Sequence, residues 1–354
     1  MNRYAHLSIY PFACNVNPSE TIKFIPCLID FITKRLGIIK IKITVKRDRS
    51  ALKRFNLQPF FKFFFTKMTT NAQKIHLKKE GNGYWILENR DKIFFFQREL
   101  NDSIPAYARN NYFHPVYDLN GQCITEDYPA DHLHHRGIFW AWHQVLVNGE
   151  SICDPWDTKN FRQNINEFEF LVNEMGNGIL KYTSFWFAAD RPNDPFLMEK
   201  TTITVHQRTN RYRQIDFSIS FRALENNLTI GGSDDEKGYG GFTVRLKTNE
   251  LTRFTNAARV KIQPTNLAIA AGEFVDISNP ELKSGITIIS GTKNPGEDRW
   301  ILRQTGSAQN CAWPGRVPMP IMIEKPTELN YTLLIHKGKL KKVPVQRIIQ
   351  NHSL

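Results

Sequence analysis

Apolar and polar positions alternate along most of the chain after residue 68. In "TTITVHQRTNRYRQIDFSISFRAL", Ile203 and Val205 precede a polar "RTNRYR" segment, after which apolar residues recur at every second position from Ile215 to Phe221. This alternation around a polar turn predicts two half-buried strands joined as a hairpin. The stretch "YWILENRDKIFFFQ" predicts a second strand–turn–strand unit, and "GGFTVRLK", "GITIISG" and "YTLLIHKG" predict further short strands.

The number and spacing of these runs indicate the fold class. After residue 68 no long run keeps helical spacing, and strands do not alternate with helices. Many short strands bounded by Gly, Asn and Pro are typical of a large antiparallel β-sandwich or barrel. We therefore predict an all-β fold and interpret residues 68–354 as a single domain.

The composition changes near residue 68. Residues 1–67 contain 13 Lys and Arg but 3 Asp and Glu, which leaves 34 basic and 31 acidic residues for 68–354 out of totals of 47 and 34. One interpretation is a basic N-terminal extension with a membrane-surface or targeting role. The other is a translation start placed too far upstream, with Met68 as the natural beginning. We favour the second and expect little packed structure in residues 1–67.

The composition also excludes several classes of function. Because residues 68–354 are nearly neutral, the net charge of +13 does not indicate a nucleic-acid-binding surface. Five cysteines without a CxxC pair exclude a zinc ribbon and a disulfide framework. Reduced thiols in the cytoplasm fit best, with a single disulfide as the alternative. The chain contains no uninterrupted apolar run of about 20 residues and no standard signal peptide, so we expect a cytoplasmic protein without a transmembrane segment.

The stretch "DYPADHLHHRGIFWAW" is the strongest candidate for chemistry, because His132, His134 and His135 lie within four positions. If this segment is extended, His132 and His134 project to one side and His135 to the other. A neutral imidazole is suited to general acid or base catalysis near neutral pH, with Asp131 as a partner. A structural role, in which the charged groups of the segment satisfy one another, is the alternative.

A metal site is a further interpretation of the same histidines. Two His at positions i and i+2 can bind one divalent metal when a third ligand comes from elsewhere. His114 or His143 is a candidate for that third ligand, and His132, His134 and His114 form the set that we prefer. The hypothesis without a metal cofactor remains the leading one.

Other segments supply candidate site residues. "DDEKGYGGFTVRL" contains Glu236, a candidate acid, and three glycines that permit close approach of a ligand. Tryptophan faces stack on sugar rings, although tryptophans after a strand-like run also fill cores. The candidates for substrate binding are His114, Asp127, His132, Arg136, Trp140, Trp156, Tyr239, Arg245, Trp300 and Arg303.

These residues carry a resemblance to a known family. The segments "HPVYDLNGQCITEDYPADHLHHRGIFWAW", "KGYGGFTVR" and "NPGEDRWILR" resemble the "methane oxygenase PmoA-like" family, over roughly residues 75–338. The motif HP…DHxHHRG…W is the most specific part. The resemblance implies a soluble β-sandwich similar to galactose-mutarotase-like supersandwiches, found largely in polysaccharide-degrading bacteria. It implies a carbohydrate-related role and supplies no catalytic residues.

The leading hypothesis is a carbohydrate-active enzyme on a β-supersandwich that acts as an epimerase, lyase or hydrolase. His134 or His135 would act as base, and Glu236 or Asp131 as acid. The partner is a small-molecule carbohydrate bound on one sheet face. A metal-dependent oxygenase or hydrolase and a non-catalytic sugar-binding module are the alternatives.

Overall fold

The computed structural model describes residues 75–296, 299–306, 308–339 and 345–349, together with the backbone of two short strands. Contacts divide the chain into two units, residues 1–71 and 72–354. In the first unit, β1 (Ala5–Ile9) and β2 (Ile41–Val45) pair in parallel. The rest of residues 1–67 lies outside the described residues, and with it the expectation of an extension with little packed structure.

The second unit contains two large antiparallel sheets, as the alternating pattern predicts. Sheet I comprises, in spatial order, β10 (Phe161–Val172), β11 (Gly178–Ala188), β12 (Leu197–Val205), β13 (Tyr212–Ala223), β24 (Thr327–Lys337), β20 (Ser284–Ser290), β19 (Phe274–Asn279), β16 (Arg253–Thr255) and β17 (Lys261–Ile262). Sheet II comprises β18 (Ile269–Ala270), β21 (Arg299–Ile301), β22 (Gln309–Ala312), β15 (Gly240–Val244), β7 (Ile138–Trp142), β6 (Tyr112–Val116), β5 (Asp91–Gln97), β4 (Gly83–Glu88) and β3 (Ile75–Glu80).

A small antiparallel sheet and two short helical segments complete the described part of the second unit. The small sheet comprises β23 (Met319–Pro320), β14 (Leu228–Gly231), β8 (Gln144–Val147) and β9 (Glu150–Cys153). The helical segments are a 3₁₀ turn, Pro105–Tyr107, and one α-helical turn at 345–349. In the part of the chain that the structure describes, no helix is both long and apolar enough to cross a membrane. The prediction of an all-β fold is confirmed.

The core lies between sheets I and II. The predicted hairpin is β12–β13, in which Val205 pairs with Ile215, and its alternate apolar residues face the other sheet. Phe217 meets Phe113 and Trp140 of sheet II, with ring centroids 5.7 and 6.4 Å apart. Because each strand exposes alternate residues to opposite faces, one register places a whole apolar set in the core.

The opposite face of sheet II carries the site described below. Strand β7 is buried along its whole length, which matches the apolar run "IFWAW". Trp140 and Trp142 point into the core, whereas Phe139 and Ala141 point outwards and form a small separate cluster with Tyr112. Loops must therefore cover this outer face. The loop before β7 and the loop after β9 both do so.

Candidate functional site

His132, His134 and His135 lie in a tight loop that leads into β7, which we call the histidine loop. The amide of His132 donates to the carbonyl of Pro129 at 3.0 Å, and the amide of His135 donates to the carbonyl of His132 at 2.9 Å. These turns contradict the expectation of an extended segment. As a result the three rings converge: His132 and His135 stack with centroids 4.6 Å apart and planes 2° apart, and His134 meets His135 edge-on at 4.5 Å.

Gly137 ends this loop beside strand β6. A Cβ atom at this position would lie 2.0 Å from the carbonyl oxygen of Phe113. Since any larger residue would push the strands apart, glycine is required where the histidine loop joins the sheet. In the sequence "HHRG", the two histidines and Arg136 therefore contribute to the site or support it, and Gly137 permits close packing.

Asp131 orients His132. Its Oδ2 atom lies 2.8 Å from Nδ1 of His132, and its two oxygens accept from Nη2 of Arg245 at 2.7 and 3.0 Å. Burial alone would raise the pKa of Asp131, but the hydrogen bonds from His132 and Arg245 outweigh burial and lower that pKa. Because a carboxylate only accepts hydrogen bonds, Nδ1 of His132 carries the proton and Nε2 is left as a base.

His135 is held in the opposite tautomer. Its Nδ1 lies 3.3 Å from Nη1 of Arg245, and a guanidinium only donates. Nδ1 therefore accepts, and Nε2 carries the hydrogen. His135 is buried, and this burial lowers its pKa far below the usual range, helped by the neighbouring imidazoles and Arg245. At neutral pH it is an uncharged hydrogen-bond donor.

His134 lies between this loop and the loop after β9. Its Nδ1 is 3.7 Å from Oδ1 of Asp157. Burial lowers the pKa of His134 to about 4, although the charge of Asp157 opposes the shift. His134 is therefore also neutral at neutral pH, so it does not repel His135 as a charge.

A second group of polar side chains adjoins His134. His143 lies between β7 and β8, and its Nδ1 is 2.9 Å from Oδ2 of Asp154. In the described part of the chain, His143, Asp154 and Asp157 are the one group of three possible metal ligands whose donor atoms all lie within 4.8 Å of one another. Lys159 donates to the second oxygen of Asp157 at 2.7 Å.

These groups surround a cavity of about 490 Å³ on the outer face of sheet II. Trp156 forms one wall, stacked on His143 at 5.4 Å and edge-on to His135 at 5.8 Å. Tyr239 lies 5.6 Å from Trp156, and the guanidinium of Arg303 lies 5.4 Å from the Tyr239 ring. The lining residues are His132, His134, His135, His143, Trp156, Asp157, Lys237, Tyr239, Asn266, Arg303, Thr305 and Gly306.

Another cavity, of about 550 Å³, is larger but chemically simpler. It lies along β10 and includes Arg98, Arg109 and Arg162 in its lining, without any imidazole. The carboxylate in its lining, Glu99, is paired with Arg98. Size alone favours this cavity. The cavity lined by His132, His134 and His135, which we call the imidazole cavity, has the groups that proton transfer requires, and we take it as the candidate site.

Three charged residues that the sequence offers as candidates for substrate binding instead support the histidine loop. Arg136 is fully buried, donates to Asp127 at 3.0 Å and to the carbonyl of Tyr107 at 2.7 Å, and lies over the Tyr128 ring. Arg245 is buried too and also pairs with Glu126 at 2.8 Å. Arg136, Asp127 and Arg245 therefore hold the loop and do not line the cavity.

Other predicted residues lie elsewhere. Trp140 and Trp300 belong to the core and offer no face to a ligand, because strand alternation turns them inwards. His114 hydrogen-bonds Thr125 at 3.0 Å and is absent from the cavity lining, so His132, His134 and His114 are not gathered as ligands of one ion. Glu236 is exposed and lies outside the lining, whereas its neighbours Lys237 and Tyr239 contribute to it.

Sequence reasoning did not single out Asp154 and Asp157. Their signal is the stretch "CDPWD", in which two carboxylates flank Trp156. Strands β8 and β9 form a hairpin, with Val145 paired to Cys153, so the residues just outside the hairpin, His143 and Asp154, become neighbours. The pairing partner of each strand, which a single sequence does not state, determines this proximity.

Comparisons with known proteins extend the description. The profile of a family described as "Family of unknown function (DUF6807)" matches residues 87–350. No curated protein matches the chain. Two solved structures of variants of a glycoside hydrolase family 97 enzyme from Pseudoalteromonas sp. strain K8, one in complex with panose, match with 10% identity and a TM-score of 0.33. Each match covers 75% of this chain and 34% of the other, so the chain spans about a third of their length.

Proposed function

We propose that this chain binds a sugar or sugar derivative in the imidazole cavity and catalyses proton transfer on it. The chain belongs to the DUF6807 family of unknown function. The reaction class is an epimerisation, an elimination or a hydrolysis, all of which require a positioned acid and base. The carbohydrate ligand is proposed from the motif HP…DHxHHRG…W and the resemblance that it suggests to PmoA-like proteins. The family model that matches is DUF6807 and not a PmoA-like one, and its description names no activity.

The observation that carries the proposal is the relay of Arg245, Asp131 and His132. Arg245 fixes both oxygens of Asp131, and Asp131 fixes the Nδ1 proton of His132. An imidazole oriented in this way by a carboxylate presents Nε2 as a general base. His132 lines the cavity, so this base is accessible to a ligand.

His135 supplies the complementary group. Its Nε2 carries a hydrogen, and its low pKa keeps the ring neutral. A neutral donor stabilises negative charge that develops on a substrate oxygen without first forming an ion pair with it. The His132 and His135 rings are stacked 4.6 Å apart and both line the cavity, so base and donor are close enough to serve one ligand.

The remaining walls suit a hydroxylated ligand with negative charge. Tyr239 offers an aromatic surface that is partly exposed, and Trp156 closes the cavity behind it. Arg303 donates to the carbonyls of Leu302 and Asn266, and no carboxylate of the described residues pairs with it. Lys237 also lines the cavity but is paired with Asp235 at 3.5 Å, so Arg303 is the cation that a ligand carboxylate would meet. A sugar acid such as a uronate fits this combination.

The test is a ligand screen followed by a turnover assay on the full chain. Neutral sugars and uronic acids are screened by thermal shift, and binders are incubated with the protein and followed by NMR. His132→Gln is expected to lower turnover by on the order of 10²-fold or more while affinity changes a few-fold. His206→Gln is the matched control, because His206 forms a His–Asp pair with Asp216 at 2.6 Å on another sheet.

Each outcome of this assay has a defined meaning. Conversion that disappears in His132→Gln and persists in His206→Gln supports the proposal. Binding without conversion of any ligand would replace it with a non-catalytic sugar-binding module. Conversion that survives in His132→Gln would refute the assigned base.

A further inference from the structure

We infer that His143, Asp154 and Asp157 form a site for a divalent transition-metal ion at the wall of the imidazole cavity. The site shares the cavity with the proposed function, but the binding of the ion does not depend on that function. It differs from the set that the sequence favoured, His132, His134 and His114.

The backbone brings the three ligands together from one short segment. His143 precedes β8 and Asp154 follows β9, so the β8–β9 hairpin places them side by side, 2.9 Å apart at their nearest atoms. The chain then turns: the amide of Asp157 donates to Oδ1 of Asp154 at 2.9 Å, and Asp154 and Lys159 form a backbone bridge. This turn returns Asp157 towards His143.

In both aspartates, a hydrogen bond from the protein holds one carboxylate oxygen. Oδ1 of Asp154 is fixed by the Asp157 amide, which leaves Oδ2 beside His143. Oδ2 of Asp157 is fixed by Lys159, which leaves Oδ1 on the side of His134. Each carboxylate therefore has one oxygen held by the protein and one oxygen without such a hydrogen bond from the backbone or from lysine, beside His143 for Asp154 and on the side of His134 for Asp157. Hydrogen bonds that fix one oxygen in this way orient metal-binding carboxylates.

The spacing fits a single ion. Nitrogen and oxygen ligands bind Zn²⁺ tetrahedrally at about 2.0–2.2 Å, so the ligand atoms lie roughly 3.4 Å from one another. The donor atoms of the three residues lie within 4.8 Å of one another, and Nδ1 of His143 and Oδ2 of Asp154 are 2.9 Å apart, so small side-chain rotations bring all three to one ion. One imidazole with two carboxylates favours Zn²⁺, Mn²⁺ or Fe²⁺ over Mg²⁺ and Ca²⁺, which prefer oxygen ligands alone.

The surroundings distinguish this group from a surface ion pair. All three residues are half-buried, His143 stacks on Trp156, and both His143 and Asp157 line the cavity. The carbonyl of Trp156 accepts from the buried Arg109 at 3.0 Å, which anchors the turn between the two carboxylates. The ion would therefore sit in a rigid wall with an open side towards a ligand.

The experiment measures the metal directly on the full chain without a histidine tag. Protein is stripped with EDTA, dialysed and titrated calorimetrically with ZnCl₂ or MnCl₂, and the visible spectrum is recorded with Co²⁺. His143→Gln and Asp157→Asn are expected to weaken the site at least 10-fold and to abolish the Co²⁺ spectrum. His206→Gln and His132→Gln are the matched controls and should retain both, and thermal melting verifies that every variant is folded.

The outcomes separate the possibilities. One ion per chain in the parent and both controls, with the loss in His143→Gln and Asp157→Asn, supports the inference. A parent without a site, or unchanged binding in those two variants, overturns it. A loss in His132→Gln equal to that in His143→Gln also overturns it and assigns the ion to the histidine loop. Sugar binding by the EDTA-treated protein is measured separately, so that failure of the metal site and failure of the proposed function are distinguished.

Discussion

Arg245 holds both carboxylate oxygens of Asp131 at 2.7 and 3.0 Å, although the two residues are 114 positions apart in the chain. Arg245 follows β15 and Asp131 belongs to the histidine loop, so this contact ties the loop to sheet II. The same guanidinium meets Nδ1 of His135. One buried side chain therefore determines the positions of two of the three imidazoles.

Replacing Arg245 with Lys should destabilise the protein by about 1–3 kcal/mol. Lysine keeps the charge but lacks the planar fork, so some of the acceptors of Arg245 lose their donor. Urea unfolding measures the difference. The control is Arg316→Gln, since Arg316 forms an exposed pair with Asp234 and its loss should cost less than about 1 kcal/mol. Equal losses in the two variants would contradict the supporting role of Arg245.

Replacing Asp131 with Asn should lower turnover by on the order of 10²-fold, with ligand affinity nearly unchanged. An amide NH₂ group near Nδ1 of His132 stabilises the wrong tautomer and removes the free base at Nε2. Turnover and affinity of the ligand identified by screening are the readouts. Glu236→Gln is the control, because Glu236 is exposed and outside the cavity lining. A large effect of Glu236→Gln would restore it as the catalytic acid.

Trp140 and Tyr239 should respond to substitution in opposite ways. Trp140→Phe removes volume from the core and should cost about 1–3 kcal/mol of stability, without changing ligand affinity beyond the effect of folding. Tyr239→Ala removes part of the cavity wall and should weaken ligand binding roughly 10-fold at nearly constant stability. Calorimetry of ligand binding together with thermal melting separates the two effects. A loss of affinity in Trp140→Phe alone would place that ring in the site.

His135 should make folding dependent on pH below neutrality. Burial lowers the pKa of His135 in the folded protein, so the unfolded chain binds a proton first, near its ordinary pKa of about 6.5. The free energy of unfolding therefore falls as the pH drops below that value, by at most about 1.4 kcal/mol per pH unit for this group. In His135→Phe the fall between pH 6.5 and 4.5 should be shallower. Parallel curves for the two proteins would show that His135 is not buried in its neutral form.

The fold could be predicted because its determinants are local. Alternation in β13 describes a strand directly, and this strand is found where the sequence places it. The membership of Trp140 and Trp300 in the core was harder to assign, because a tryptophan after a strand-like run suits a core and a ligand wall equally well. The face of each strand depends on its neighbours in the sheet.

The site could be predicted in part. The composition of the histidine loop indicates a candidate site, and Tyr239 and Arg303 line the same cavity as its histidines. The conformation of the loop could not be predicted, because the sequence does not show which backbone amides form hydrogen bonds. Those hydrogen bonds fold the loop and bring His135 to the same cavity as His132 and His134. The sequence alone does not indicate that Asp154 and Asp157 lie near His143, because this proximity depends on the hairpin pairing.

The turned loop has a consequence for how this site can change over evolutionary time. Three imidazoles come from four consecutive positions, and Gly137 fixes the end of that segment against β6. Substitutions can alter one imidazole at a time, but the insertion or deletion of a single residue between Asp131 and Gly137 would displace all three together. Relatives that keep the proposed activity should therefore vary in the walls of the cavity while the length of this segment stays constant.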